Sequence, residues 1–295
     1  MSIHRVIFNP HFMDKPIRME GTIVPDAWDV RIWEVNGHRE ISARNVIAWE
    51  EDPDWVPPVD QTGTLKGDEM EEERRLKSLE KSAKRAQTMC RRVIKAEAFD
   101  EMLTLTYREN QIDRALCKVH FKEWVRRMKR ALGGFRYCAS FERQERGSMH
   151  VHIATNRLPV HADFKGVTIK AWELGTKVWR SIVGGNNGLC FVGGKSKFGA
   201  PRRQKLSLAR MAAYVSKYIL KDFKDAPESS ARYSRSRGSE VGRPVHVRLD
   251  GCSMVEMIAA VFTCSDGDVI VSHNVGKLGD SYWLCTEPKV PLLRA

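Results

Sequence analysis

The length, composition and charge of this chain limit what it can be. With 295 residues it is long enough for one large domain or two small ones, and its 42% apolar and 29% charged content is typical of a soluble, globular protein. The net charge of +12 and the pI near 9.5 indicate a polyanionic partner, either nucleic acid or an acidic membrane surface.

Other features exclude whole classes of protein. No run approaches the ~18 apolar residues of a membrane span, and residues 1–10 lack the apolar core of a signal peptide, so we expect no membrane association. The seven cysteines are scattered without a C-x-x-C pair. This pattern predicts reduced thiols in a cytoplasm and gives no support to a zinc finger.

Residues 1–67 are predicted to form an N-terminal extension of unclear role. Residues 29–35 (DVRIWEV) alternate apolar and polar side chains like a strand, whereas the prolines of residues 50–63 predict a loop. The segment carries no recognisable chemistry. An accessory or origin-recognising segment and a solvated extension both fit it.

A helix, a strand and a second helix follow. Residues 68–96 have apolar side chains at alternating spacings of three and four, which predicts a helix with one narrow apolar stripe. Residues 102–107 alternate and predict a strand with one apolar face. The second helix is predicted to begin at Asp113 and to end at Gly133 and Gly134.

Residues 137–155 (YCASFERQERGSMHVHIAT) predict a β-hairpin with a polar connection over residues 144–148. If Glu142 pairs with His150, the apolar side chains of both strands cover a core. Glu142, His150 and His152 then project together from the opposite face. Two imidazoles and a carboxylate on a rigid sheet can form a divalent-metal site with positions left for substrate. The alternative is that these are simply polar residues on a half-exposed strand.

The next segments complete the predicted sheet. Residues 172–182 predict a helix and residues 188–194 a strand, so the whole pattern indicates an α+β fold with an antiparallel sheet and helices packed on one face. Residues 188–196 (GLCFVGGKS) resemble a P-loop. However, five residues separate Gly188 from the Gly-Lys-Ser triplet where the motif requires four, so we expect no nucleotide cofactor.

Residues 193–221 contain eight cationic residues and no acidic one, so this stretch is expected to face the phosphates of DNA. The predicted DNA contacts are Arg202, Arg203, Lys205, Arg210 and Lys221.

The same stretch includes a predicted helix over residues 206–223 (LSLARMAAYVSKYILKDF). Tyr214, Lys217, Tyr218 and Lys221 fall on one face of it, and an apolar face can pack on the sheet. Tyrosines at helical spacing are often core or surface residues, but two tyrosines beside lysines on a polar face are less usual.

Three short motifs together resemble the HUH endonucleases. They are TLTY at residues 104–107, Glu142 with HVH at residues 150–152, and YVSKY at residues 214–218. Their order resembles that of rolling-circle replication initiators, and the two-tyrosine form is similar to the initiators of filamentous and other single-stranded-DNA phages. The resemblance covers roughly residues 99–221, and RYSRSRG at residues 232–238 is similar to a segment of some relatives.

This resemblance implies a site and a reaction. His150, His152 and Glu142 would bind Mg²⁺ or Mn²⁺. Tyr214 and Tyr218 would be the nucleophiles, and Lys217 would lie beside the scissile phosphate. Attack would leave a 5′-phosphotyrosine and a free 3′-hydroxyl, and rejoining would need no ATP.

The sequence therefore predicts a nicking and joining enzyme of rolling-circle replication, with its nickase domain at residues 68–242. Residues 243–295 are expected to form a folded accessory segment, with a helix at residues 254–261 and strands at residues 268–275 and near Trp283. Expected partners are single-stranded or supercoiled origin DNA and a host helicase and polymerase in the bacterial cytoplasm. A two-tyrosine transposase, a mobilisation relaxase and a non-catalytic basic DNA-binding protein remain alternatives.

Overall fold

The computed structural model describes residues 3–7, 17–56, 67–164, 166–192, 207–221, 231–265 and 267–289. It divides into two compact units. We call them the terminal unit, which is Met1–Arg75 together with Gly242–Ala295, and the central unit, Leu76–Val241. The first and last segments of the chain thus fold together, which their sequences did not indicate.

The described residues form thirteen strands and five helices. The strands are β1 (Ile3–Ile7), β2 (Ile17–Val35), β3 (His38–Glu51), β4 (Glu101–Tyr107), β5 (Tyr137–Arg143), β6 (Met149–Thr155), β7 (His161–Phe164), β8 (Val167–Lys170), β9 (Gly188–Val192), β10 (Tyr233–Arg235), β11 (Val245–Asp250), β12 (Asp268–Val275) and β13 (Ser281–Pro288). The helices are α1 (Gly67–Ala96), α2 (Arg114–Leu132), α3 (Ala171–Val183), α4 (Leu208–Lys221) and α5 (Met254–Thr263).

The terminal unit is built on a six-stranded antiparallel sheet of order β1-β2-β3-β13-β12. An irregularity between Ile23 and Trp28 divides the long β2, so that β1 pairs with its first part and β11 with its second. The helix α5 begins at a capping box formed by Ser253 and Glu256, and its buried Met257 packs in the core of this unit. The strands and the helix predicted for the C-terminal segment are confirmed.

The central unit is built on a five-stranded antiparallel sheet of order β10-β5-β6-β4-β9. The α+β class and the antiparallel sheet predicted from the sequence are confirmed. The predicted hairpin is confirmed as well, because β5 pairs with β6 in the register that sets Glu142 opposite His150. The chain reverses at Gly147, whose φ of 88° lies in the region that suits glycine.

The prediction that helices pack on only one face of this sheet is wrong. Helices α2 and α3 cover the face that carries Leu105, Phe141 and Val151. Helices α1 and α4 cover part of the opposite face, where Cys138 and Ala154 are buried beneath them. Small apolar side chains at that end of the histidine face allow helices to pack there, a property that strand alternation alone does not reveal.

The boundaries of the remaining helices follow local signals. Asp113 caps α2 by accepting hydrogen bonds from the backbone N–H groups of Ala115 and Leu116, and Gly133 ends it, as predicted. None of the helices that the structure describes is long and apolar enough to cross a membrane.

Candidate active site

The carboxylate and the two imidazoles meet because of the register of β5 and β6. Glu142 lies directly opposite His150, and Ser140 lies opposite His152. Directly opposed residues project from the same face of a sheet, so all four side chains share one side. One ligand atom from each of Glu142, His150 and His152 lies within 4.8 Å of the other two. The sequence prediction of a shared metal-binding face is therefore confirmed as a possible site.

Glu142 is the electrostatic centre of this cluster. One carboxylate oxygen lies 2.8 Å from His152 Nε2, and the other accepts a hydrogen bond from Lys221 Nζ at 3.2 Å. Burial by itself would raise the pKa of Glu142, but the contacts with His152 and Lys221 outweigh it and hold that pKa below its usual value. The carboxylate is therefore ionised at neutral pH, as a metal ligand must be.

The neighbouring strand β4 supplies a further contact. Thr104 lies opposite His152 in the β4–β6 register, and its Oγ1 is 3.4 Å from His152 Nδ1. The sequence pointed to Thr104 only as part of a motif. Its contact with the histidine depends on strand order, which pairs β4 with β6 although α2 and β5 lie between them in the chain.

The helix α4 lies over the same face of the sheet. Met211, Ala212, Val215 and Ile219 are buried along its apolar side and pack in the core beneath it. Ser140 Oγ on β5 donates a hydrogen bond to the backbone carbonyl of Val215. Because this helix side is fixed on the sheet, the adjoining side with the tyrosines is directed towards the histidines.

Both tyrosine rings contact His152. The ring of Tyr218 is nearly parallel to the imidazole, with 4.3 Å between the ring centroids and an angle of 14°. The ring of Tyr214 is edge-on to it at 5.4 Å, and the two tyrosine rings are 5.5 Å apart. Lys217 Nζ lies 4.8 Å from the centroid of Tyr214 and 4.6 Å from that of Tyr218.

This environment keeps both phenols protonated in the metal-free protein. Burial raises the pKa of Tyr214, the hydrogen bond with Tyr218 raises it further, and the charge of Lys217 opposes these effects. Burial also raises the pKa of Tyr218, and the hydrogen bond with Tyr214 partly offsets this. Either tyrosine must therefore be activated before it can act as a nucleophile at neutral pH.

The predicted DNA-binding residues are described only in part. Arg210 lies on α4 and is exposed, whereas Lys221 lies at the end of α4 beside Glu142. Arg202, Arg203 and Lys205 lie outside the described residues.

Comparison with known proteins agrees with this site. Residues 100–223 match the family model of the replication-associated protein ORF2, a stretch that begins just before β4 and ends just after α4. The match confirms the resemblance to phage-type rolling-circle initiators at the level of the family, and the family implies a role in DNA replication initiation. No curated protein and no solved structure shows a significant match to the chain.

Proposed function

We propose that this protein starts rolling-circle replication by nicking one strand of a phage or plasmid origin with a tyrosine nucleophile. One observation carries the proposal: α4 holds Tyr214, Tyr218 and Lys217 against His152, which belongs to the only three-residue metal-ligand cluster found among the described residues. A nucleophile, a cation and a metal-ligand set thus converge at one place.

The donor set suits a divalent cation. Two imidazole nitrogens and one carboxylate oxygen occupy one side of the site, which leaves positions for the oxygens of a substrate. His150, His152 and Glu142 would hold Mg²⁺ or Mn²⁺, and such an ion withdraws charge from phosphate oxygens.

The residues of the chain account for the rest of the reaction. The phenolic oxygen of a tyrosine attacks the scissile phosphorus, the bond from phosphorus to the 3′-oxygen breaks, and the phenolic proton is released as the 3′-hydroxyl forms. The ammonium of Lys217, which lies near both rings, favours the phenolate and offsets the negative charge of the transition state.

The product is a 5′-phosphotyrosine. The phosphoester is conserved in this link, so a 3′-hydroxyl can attack it later and rejoin the strand without a nucleotide cofactor. The free 3′-hydroxyl meanwhile serves as a primer for a polymerase.

A single incubation tests the proposal. The protein is mixed with supercoiled DNA that carries a phage or plasmid origin, with Mg²⁺ or Mn²⁺, and is then denatured in detergent. We expect DNA covalently linked to the protein and an open-circular product, and neither with the Tyr214→Phe/Tyr218→Phe variant. DNA binding with a steep salt dependence but without any adduct would instead support a non-catalytic basic protein.

A further inference from the structure

A second concave surface lies in the central unit, away from the tyrosines. It is a cavity of about 630 Å³ between α3, β9 and the segment that follows β6. This volume lies within the range of roughly 300–1,000 Å³ that is usual for small-molecule sites. We call it the α3–β9 groove. Its lining consists of Leu158, Pro159, Val160, Lys170, Glu173, Thr176, Lys177, Arg180, Leu189, Cys190, Phe191 and Val192.

The lining combines an apolar floor with a cationic rim. Lys170 and Lys177 are exposed, and Arg180 is half-buried with its Nε donating to the carbonyl of Gly188. Glu173 is the single acidic residue of the lining, so the groove carries a net positive charge. A ligand that suits it has an apolar, flat part for the floor and a negative charge for the rim.

The charge of the surrounding unit narrows the class of ligand. The central unit has 35 Lys and Arg against 15 Asp and Glu, which is a formal net charge of +20. The terminal unit has 14 against 22, which is −8. The polyanion expected from the composition is therefore attracted to the central unit, and a nucleotide within a DNA strand has both the charge and the flat apolar base.

Strand order sets the groove close to the nicking site. Phe191 on β9 lies opposite Thr104 on β4, and Thr104 lies opposite His152 on β6. Because neighbouring strands are about 4.8 Å apart, β9 lies on the order of 10 Å from the strand of the histidines. Among the described strands, β9 forms one edge of this sheet. DNA that crosses the metal-binding face therefore reaches the groove within a few nucleotides.

We propose that the α3–β9 groove binds one unstacked nucleotide of the single-stranded origin, a short and fixed distance from the scissile phosphate. The base lies on the apolar floor, and Lys170 and Lys177 contact the phosphates that flank it. This inference rests on the proposed nicking function, since it assigns a binding subsite to the same substrate.

The charge arm of the test measures binding without chemistry. All proteins carry Tyr214→Phe/Tyr218→Phe, EDTA is present, and the probe is a fluorescent single-stranded origin oligonucleotide followed by anisotropy. Adding Lys170→Gln/Lys177→Gln should reduce the slope of log affinity against log salt by about 1.4, or roughly 0.7 for each phosphate that is no longer neutralised. The matched control, Lys81→Gln/Lys84→Gln on α1, removes the same charge elsewhere in the unit and should change the slope much less.

The base arm uses oligonucleotides with one abasic residue, which is moved stepwise along the strand. One position should weaken binding by about 5- to 140-fold, the range expected for losing one stacked base. Val160 is 65% exposed and tolerates a larger side chain, so Val160→Trp should fill the groove and abolish that position's effect.

Three results would overturn the groove assignment: equal slope changes in the groove and control variants, no sensitive abasic position, or a sensitive position that persists in Val160→Trp. None of them depends on cleavage. Failure of the groove is thus distinguishable from failure of the nicking proposal, which is read from the covalent adduct alone.

Discussion

At the scale of single residues, His152 is held by contacts on several sides. Glu142 lies at its Nε2, Thr104 at its Nδ1, and the ring of Tyr218 covers one face. A histidine that binds a metal through one ring nitrogen usually donates the other N–H to an oxygen, which orients the ring. The structure offers Thr104 Oγ1 for this role, and we regard Thr104 as a positioning residue.

Replacing Thr104 by valine should weaken metal binding. Thr104→Val keeps the shape of the side chain but removes the oxygen near His152 Nδ1, so we expect affinity for Mn²⁺ to fall by about 10- to 100-fold. Calorimetric titration measures this. Thr104→Ser should restore most of the affinity, and Thr168→Val, at an exposed position on β8, is the control. Unchanged affinity in Thr104→Val would contradict the role.

At the scale of elements, α4 brings two tyrosines to one site. Tyr214 and Tyr218 are four residues apart, so they project from the same side of the helix about one turn from each other. In a replication cycle one tyrosine opens the origin and keeps its 5′ end. The regenerated origin must then be cut while this link persists, and the second tyrosine serves that step.

Single tyrosine variants test this alternating scheme. Tyr214→Phe and Tyr218→Phe should each still form some covalent adduct on a short origin oligonucleotide, because the other phenol reaches the same phosphate. The double variant should form none, and each single variant should release fewer closed circles. If Tyr214→Phe alone abolishes all adduct while Tyr218→Phe replicates normally, a one-tyrosine mechanism is correct.

The end of α1 is joined to the start of β5 by an ion pair. Arg136 Nε donates to Glu97 at 2.6 Å, and a second guanidinium nitrogen contacts the other carboxylate oxygen. The hydrogen bond from Arg136 holds the pKa of Glu97 below its usual value, against the effect of burial. A carboxyl with a lowered folded-state pKa stabilises the fold above its unfolded pKa, and this contribution is lost as the pH falls through the folded pKa.

Glu97→Gln should therefore destabilise the protein at pH 7 and not in acid. We expect a loss of about 1 kcal/mol in the free energy of unfolding, since Arg136 is partly exposed and solvent screens the pair. The difference from the wild type should shrink as the pH falls below about 4.5. Urea unfolding at several pH values measures it. Glu123→Gln, on the surface of α2, is the control and should have a smaller effect.

At the scale of the whole molecule, charge and chemistry have different sources. Binding of DNA is dominated by cations spread over the central unit, whereas cleavage depends on a few residues at the sheet face. Substitutions in the metal cluster should therefore separate the two activities.

Removal of the metal or of one ligand should abolish nicking and leave DNA binding largely intact. His150→Ala and EDTA should each eliminate open-circular product in a supercoiled-origin assay, while affinity for single-stranded DNA changes by less than about threefold. Mn²⁺ or Mg²⁺ should restore the EDTA-treated wild type. His161→Ala, at an exposed position on β7, is the control. Full nicking after verified metal removal would refute the metal assignment.

The form of the DNA should decide whether it is cut. The tyrosines lie on the face of a sheet and must reach a phosphate on an extruded strand, so we expect cleavage of single-stranded or negatively supercoiled origin DNA. Gel assays of the same origin as a relaxed linear duplex should show almost no product unless the duplex is locally melted. Efficient nicking of a relaxed duplex that cannot form a hairpin would count against the proposed substrate.

The sequence by itself determined the local parts of this protein. Alternation with a period of two, together with the short connection before His150, specifies both the hairpin and its register, because a shift by one residue would expose its apolar face. Helical spacing likewise shows that Tyr214, Lys217 and Tyr218 share a side of α4. These features depend on residues that are close together in the chain.

Only the tertiary structure decided which surfaces meet. It sets α4 over the histidines, brings Lys221 to Glu142 and Thr104 to His152, and adds helices to both faces of the central sheet. It also joins the two ends of the chain in one sheet, through the pairing of β11 with β2 and of β13 with β3. Periodicity identifies the face of an element that will be buried. The partner that buries it is selected by packing between segments far apart in sequence, and no local pattern encodes that choice.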